Sequence, residues 1–215
     1  MGSTRVVVFV DYQNAYRAAR RAFHDDSASP APLGQFHPDR LGEHIVASGQ
    51  RPGRVLEQVR VYRGMPDSSL DSKGNGAARR QVAAWHKTPG VNVTVKSLRY
   101  PRGYQPGRVS AKPKEKGIDV QIAVDFVLMA VRDEYDVGVL MSLDTDLRPA
   151  IEAVLALGGP SVEVAAWHPA DPARQRYRLK LKGGSQPRCN WISEDIYRRS
   201  LADDRDYNQA RPRYR

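Results

Sequence analysis

Apolar residues along the chain fall into short runs of two spacings, one suited to strands and one to helices. Arg5 to Val10 (RVVVFV) is a continuous β-branched and aromatic run, the pattern of a strand buried on both faces of a parallel sheet. Tyr12 to Phe23 follows as a helix with a basic outer face, then a Ser-, Pro- and Asp-rich loop from His24 to Phe36. Pro38 to Ser48 places Leu41, Ile45 and Val46 on one side of a second helix, with Gly49 as its stop. Arg54 to Arg63 alternates as a second strand, Ala77 to Lys87 is a helix closed by Pro89 and Gly90, and Val91 to Leu98 alternates as the third strand. An apolar helix spans Ile118 to Arg132, a fourth strand Tyr135 to Met141, a helix Leu147 to Leu157 and a fifth strand Val162 to Trp167.

This β-α alternation predicts parallel crossovers and a three-layer α/β/α sandwich around a mainly parallel sheet of about five strands. Residues 1–168 read as that domain and 169–201 as an extension packed on it, with helices near Ala173 to Leu181 and Ser193 to Leu201. The segment 202–215 (ADDRDYNQARPRYR) has no apolar periodicity and reads as a basic, disordered tail.

Composition narrows the partners. A formal net charge of +10 favours a polyanion, nucleic acid above all. The longest apolar run, Val120 to Val131, is broken by Gln121 and Asp125 and falls short of the ~20 residues of a membrane span. Arg5 leads straight into a strand rather than a signal-peptide n-region, so a cytoplasmic protein is expected. A single cysteine, Cys189, rules out an intramolecular disulfide and a Cys-cluster zinc site.

The acidic residues carry the chemistry. In open parallel sheets ligands gather at the carboxyl ends of strands. Asp11 follows the first strand, and Asp144 and Asp146 follow the fourth. Each alone reads as a helix cap. Several at one sheet edge repel one another unless a cation neutralises them. Asp119 opens the apolar helix, where the helix dipole also favours an acid. Asp125 lies mid-helix among apolar neighbours and well around the axis from Asp119, so a structural pairing and a functional role are both open. Carboxylates of this kind suit hard divalent ions such as Mg²⁺, which activate water and stabilise charge on a phosphodiester. The chain has no phosphate-binding GxxxxGK[ST] loop, no GxGxxG after the first strand and no histidines at ligand spacing.

Three blocks carry a family resemblance. Phe9-Val10-Asp11-Tyr12-Gln13-Asn14 resembles the opening of NYN domains. Lys116-Gly117-Ile118-Asp119, running through to Asp125, is similar to their K-G-x-D helix. Ser142-Leu143-Asp144-Thr145-Asp146, running through to Ile151, resembles their S-x-D-x-D segment. The blocks stand in the family's order, and the resemblance covers residues 5 to about 167. It implies a PIN-like fold and ribonuclease activity dependent on Mg²⁺ or Mn²⁺. It also implies metal-binding and catalytic roles for Asp11, Asp119, Asp144 and Asp146, supported by Asn14, Ser142, Thr145 and Asp125. Two positions depart from the pattern: Leu143 stands where a glycine is usual and Leu147 where an aromatic is.

The segment 99–116 is rich in Arg, Lys, Pro and Tyr and poor in apolar residues, so an exposed loop or hairpin is expected. Arg99, Arg102, Arg108, Lys112, Lys114 and Lys116, with Tyr100 and Tyr104, offer charge for phosphates and rings for bases. RNA is the expected partner, alongside a second copy or a regulatory protein. A haloacid-dehalogenase-type phosphatase needs an acid where Gln13 stands. A non-catalytic RNA-binding module and a PIN- or Toprim-like nuclease acting on DNA are the competing readings.

Overall fold

The computed structural model describes residues 2–24, 32–50, 52–105 and 113–209. Its strands are β1 (Thr4–Asp11), β2 (Arg54–Met65), β3 (Val91–Ser97), β4 (Val137–Met141), β5 (Ser161–His168) and β6 (Arg188–Ser193). Its helices are α1 (Tyr12–Phe23), α2 (Pro38–Ala47), α3 (Ser72–Trp85), α4 (Ile118–Val131), α5 (Arg148–Ala156) and a short α6 (Glu194–Ile196), which a π turn continues to Leu201. All strands lie in one sheet in the order β3-β2-β1-β4-β5-β6, and every pairing is parallel.

Side-chain alternation in β1 builds two cores at once. Val6, Val8 and Val10 join the cluster formed with Tyr12, Ala19 and Phe23 of α1, Leu41 and Ile45 of α2, and Val82 and Trp85 of α3. Val7 and Phe9 join the opposite cluster, with Ile122 and Phe126 of α4 and Ile151 and Val154 of α5. The result is the α/β/α sandwich that the alternation predicts. From β1 the chain steps outward to β2 and β3, then returns to place β4 on the other side of β1 and steps out to β5 and β6. Strand order therefore reverses between β1 and β4, and the crevice outside their carboxyl ends is where such a sheet receives ligands. Among the described residues no helix is long and apolar enough to cross a membrane.

The carboxy-terminal third departs from expectation in three places. The sheet has six strands rather than about five. The sixth was hidden because polar Asn190 occupies a buried position, its amide donating to Glu163 (2.8 Å) and to the Val164 carbonyl (3.2 Å). No helix forms near 173–181. There the backbone is held by side chains instead: Gln186 bonds both the N–H and the C=O of Leu181, and Arg148 donates to the Lys180 carbonyl. Residues 202–209, expected as tail, are packed. Asp203 is 1% exposed and accepts from Arg205 and from the Tyr207 hydroxyl, and Arg80 donates to the Tyr207 carbonyl. Residues 210–215 lie outside the described residues.

One ion pair ties β2 to β5 across the two strands between them. Arg54 meets Glu163 through two hydrogen bonds of 2.8 and 3.2 Å, with side chains 2% and 11% exposed. Removing the acid strands a buried guanidinium, so Glu163→Ala should cost about 3–5 kcal/mol in urea unfolding. A loss under about 1 kcal/mol, the level of a surface pair, would show the contact to be solvated.

Candidate metal centre

β1 ends at Asp11, which is 3% exposed, directly at the switch point. One carboxylate oxygen accepts the Asn14 backbone N–H (3.2 Å), which caps α1, and the other accepts the Ser142 hydroxyl (3.1 Å). The Asn14 side-chain oxygen accepts the Leu143 N–H (2.9 Å), so the ends of β1 and β4 are stapled together. Ser142 also accepts the Asp144 N–H (3.1 Å), and Asp144 in turn accepts the Asp146 N–H (2.9 Å), capping the short 3-10 turn over Thr145–Leu147. Leu143, where the resemblance led to a glycine, fits through this backbone bond and packs partly against the core.

The remaining acid arrives from α4. Gly117 takes a left-handed φ of 78°, which an L side chain rarely adopts, and the helix starts immediately after it with Asp119 in its first turn. Asp11, Asp119 and Asp144 then line one cavity of about 790 Å³. Glu115 lines it too, accepting the Gly64 N–H at the end of β2 (2.6 Å). Arg17, Arg21, Arg63 and Lys114 complete the polar wall.

Burial acts most on these acids, and neighbouring charge less. Burial pushes the Asp11 carboxyl up to about 7, and the negative charges of Glu115 and Asp119 add to the effect, while the bonds from Asn14 and Ser142 oppose it. Burial also raises Glu115, against the pull of the Gly64 N–H, Arg17 and Arg63. Asp119 is raised by burial and then by Asp144 and Asp146. The acids that serve the fold behave oppositely. Asp136 is held low by Arg5, and Glu163 and Asp203 are held low by Arg54 and Arg205 in spite of burial. Among the described residues, Asp11, Glu115, Asp119 and Asp144 have no such ion pair with Arg or Lys.

Thr145 and Asp146 are exposed and do not line the cavity, although Asp146 raises Asp119 through its charge. Asp125 lies outside the cavity. Its carboxylate accepts the Tyr62 hydroxyl (2.8 Å), Arg60 (3.1 Å) and the Gln121 amide (2.9 Å), which locks α4 to β2. Of the basic segment, Lys114 lines the cavity, Arg99 pairs its backbone with Lys114, and Arg102 and Lys116 are exposed. Tyr100 packs edge-on against Tyr104 and accepts the Asp67 N–H. Arg108 and Lys112 lie outside the described residues.

Several residues escaped the sequence. Glu115 is masked by the lysines on either side of it. Arg17 and Arg21 follow Asn14 at helical spacing, a signal that was present but read only as a basic face. Arg63 lies over the rings of Tyr12 (5.3 Å) and Trp85 (5.8 Å), a placement with no local signature.

The donor set consists of oxygens alone, which suits Mg²⁺ or Mn²⁺ rather than a soft metal. Among the described residues no group of three His, Cys, Asp or Glu side chains lies close enough together to hold a metal ion between them. A hydrated Mg²⁺ needs only one or two carboxylates and keeps several waters, so the open arrangement fits such an ion.

Comparison with known proteins adds the family. The NYN domain model matches residues 5–177. No functionally curated protein matches the chain. A crystal structure of a protein of unknown function from Vibrio parahaemolyticus is similar at 22% identity and a TM-score of 0.48, covering 76% of this chain and 81% of the other.

A buried acid with a raised pKa makes stability depend on pH. An unfolded aspartate releases its proton near about 4, whereas folded Asp11 keeps it to about 7. Between these values the folded state binds the extra proton, so stability falls as pH rises, by on the order of 4 kcal/mol. In EDTA, the stability advantage of Asp11→Asn over the wild type should therefore grow from pH 4 to 7 and level off above. His24, His37 and His44, which burial lowers, titrate alike in both proteins and cancel. A difference that does not change with pH would mean an ordinary, solvated Asp11.

Proposed function

The chain belongs to the NYN domain family, with its PIN-like nuclease fold, and on that premise we propose that it is a divalent-metal-dependent ribonuclease. The observation that carries the reading is the cavity at the switch point, where buried Asp11 and the partly buried Glu115, Asp119 and Asp144 face one space, and among the described residues none of them forms a direct ion pair with Arg or Lys. Acids that merely support a fold are paired, as Glu163 and Asp203 are. Acids left to repel one another belong with a cation from solution.

Asp11, Asp119 and Asp144 would hold Mg²⁺ or Mn²⁺, with the charge of nearby Asp146 adding to the attraction. The chemistry such an ion supplies is Lewis-acid polarisation of a phosphoryl oxygen and activation of water. Asn14 and Ser142 fix the Asp11 oxygens and so set where that carboxylate presents its lone pairs. Arg17, Arg63 and Lys114 place positive charge along the same cavity, where it attracts a phosphate that the acids alone would repel. Glu115, which burial raises above its ordinary value, is the candidate to accept or return a proton.

Purified protein should cut single-stranded RNA in Mg²⁺ or Mn²⁺ and stop in EDTA. Asp144→Asn should lose about a hundredfold or more in turnover, and Ser142→Ala about ten- to a hundredfold. Cleavage that survives chelation, or equal cleavage of DNA of the same sequence, would overturn the reading. One observation favours a second reading, a module that binds RNA without cutting it: among the described residues no three potential metal ligands lie close enough to hold an ion between them. Tight, metal-independent RNA binding with no cleavage in any divalent ion would establish it.

Electrostatic recognition has its own measure. If Arg17 and Lys114 each contact a phosphate, the double variant Arg17→Ser with Lys114→Ser should lower the log–log salt slope of RNA binding by roughly 0.7 per lost contact. An unchanged slope would assign both side chains to solvent.

A further inference from the structure

A second cavity lies beside the acidic one along α1. It holds about 250 Å³, and Asn14 and Arg21 line both cavities. Its walls are chiefly apolar: Ala18 and Ala22 from α1, Ala165 and Trp167 from β5, and Tyr177 from the strap after β5. Pockets for drug-sized ligands run to roughly 300–1,000 Å³, so this volume suits one small flat group.

The walls are fixed. The Trp167 indole N–H donates to the Ala15 carbonyl (2.9 Å), which sets the ring as a floor only 3% exposed. Arg174 donates to the carbonyls of Arg21 (3.1 Å) and His24 (3.0 Å), binding the strap to the end of α1. That strap presents Tyr177, which joins neither core cluster and is 52% exposed, with its hydroxyl donating to Gln175 (2.7 Å). An aromatic ring left half in solvent at the mouth of an apolar slot offers a face for stacking. The amides of Asn14 and Gln175 at the rim can read a polar edge.

We propose that this slot is a nucleobase subsite. It takes one unpaired base of the RNA whose phosphate lies over the acidic cavity, and it rests on the ribonuclease reading above. Two observations argue for RNA as the occupant. The slot shares Asn14 and Arg21 with the acidic cavity, and Arg21 puts positive charge where the chain must pass from one to the other. Apolar walls with an exposed aromatic ring and amide side chains match a base better than they match a sugar or a phosphate. The subsite would make cleavage prefer single-stranded RNA, because a paired base cannot enter it.

The test is an abasic scan. Fluorescence anisotropy in EDTA and low salt would measure binding of a short 5′-labelled RNA carrying one abasic ribose at each position in turn. One position should weaken binding about tenfold, the range expected for a lost stack. Ala22→Phe, which fills the slot, should abolish that positional effect, and Tyr177→Ala should reduce it. Tyr177 is half exposed, so its variant stays folded even if Ala22→Phe does not. A flat scan, a scan unchanged in both variants, or no RNA binding at all would overturn the subsite. Magnesium-dependent cleavage with a flat scan would remove the subsite and leave the ribonuclease reading. A positional effect that both variants weaken, without cleavage in any divalent ion, would keep the subsite and remove that reading.

Discussion

Asp11 is held by two segments that meet only in the folded sheet. One oxygen belongs to the start of α1 through Asn14, and the other to the end of β4 through Ser142. Asn14 closes the loop by accepting from Leu143. The same bonds that cap a helix and join two strand ends therefore place a carboxylate in a buried crevice with no cation bonded to it. Everything else at the site is arranged around that charge. Gly117 starts α4 so that Asp119 reaches the same space, and the turn after β4 brings Asp144 to it.

The arrangement is costly to the fold, and the rest of the molecule limits that cost. Burial is heavy on both sides of β1, since Val6, Val8 and Val10 pack with α1 to α3 while Val7 and Phe9 pack with α4 and α5. Elsewhere charges are settled pairwise: Arg54 with Glu163, Arg60 with Asp125, Arg205 with Asp203. The contrast between paired and unpaired acids is what separates framework from site in this chain. Arg17, Arg21, Arg63 and Lys114 stand round the cavity wall without bonding these carboxylates directly, a geometry suited to a bound polyanion.

Helix α1 serves three surfaces, and Asn14, Ala15, Ala18 and Arg21 are shared between them. Tyr12, Ala15, Ala19 and Phe23 face the core. Asn14, Arg17 and Arg21 follow the acidic cavity. Ala18 and Ala22, with Arg21, border the apolar slot. Small residues on the slot side leave room that larger ones would fill, so the same substitution pattern that lightens the core contact of α1 creates the second cavity.

Much of this is legible in the sequence. The β-branched run of β1, the helical spacing of α2 and α4, and Gly or Pro at element ends report local burial and local backbone geometry, which depend on near neighbours in the chain. They were enough for the α/β/α layers and for bringing Asp11 and Asp144 to one sheet edge. Distant partners decided the rest. Asp125 became a framework residue because Arg60 and Tyr62 come from a strand more than sixty positions away. Glu115 joined the cavity because Gly64 receives it from the end of β2, and Asn190 entered a sixth strand because Glu163 satisfies its amide. Residues 202–209 packed because Arg80 and Phe36 meet them. Periodicity tells which face of an element turns inward, but a polar group tolerates burial only where a partner waits. Chain-distant partners are chosen by the order in which the strands assemble, and that order is a property of the tertiary structure alone.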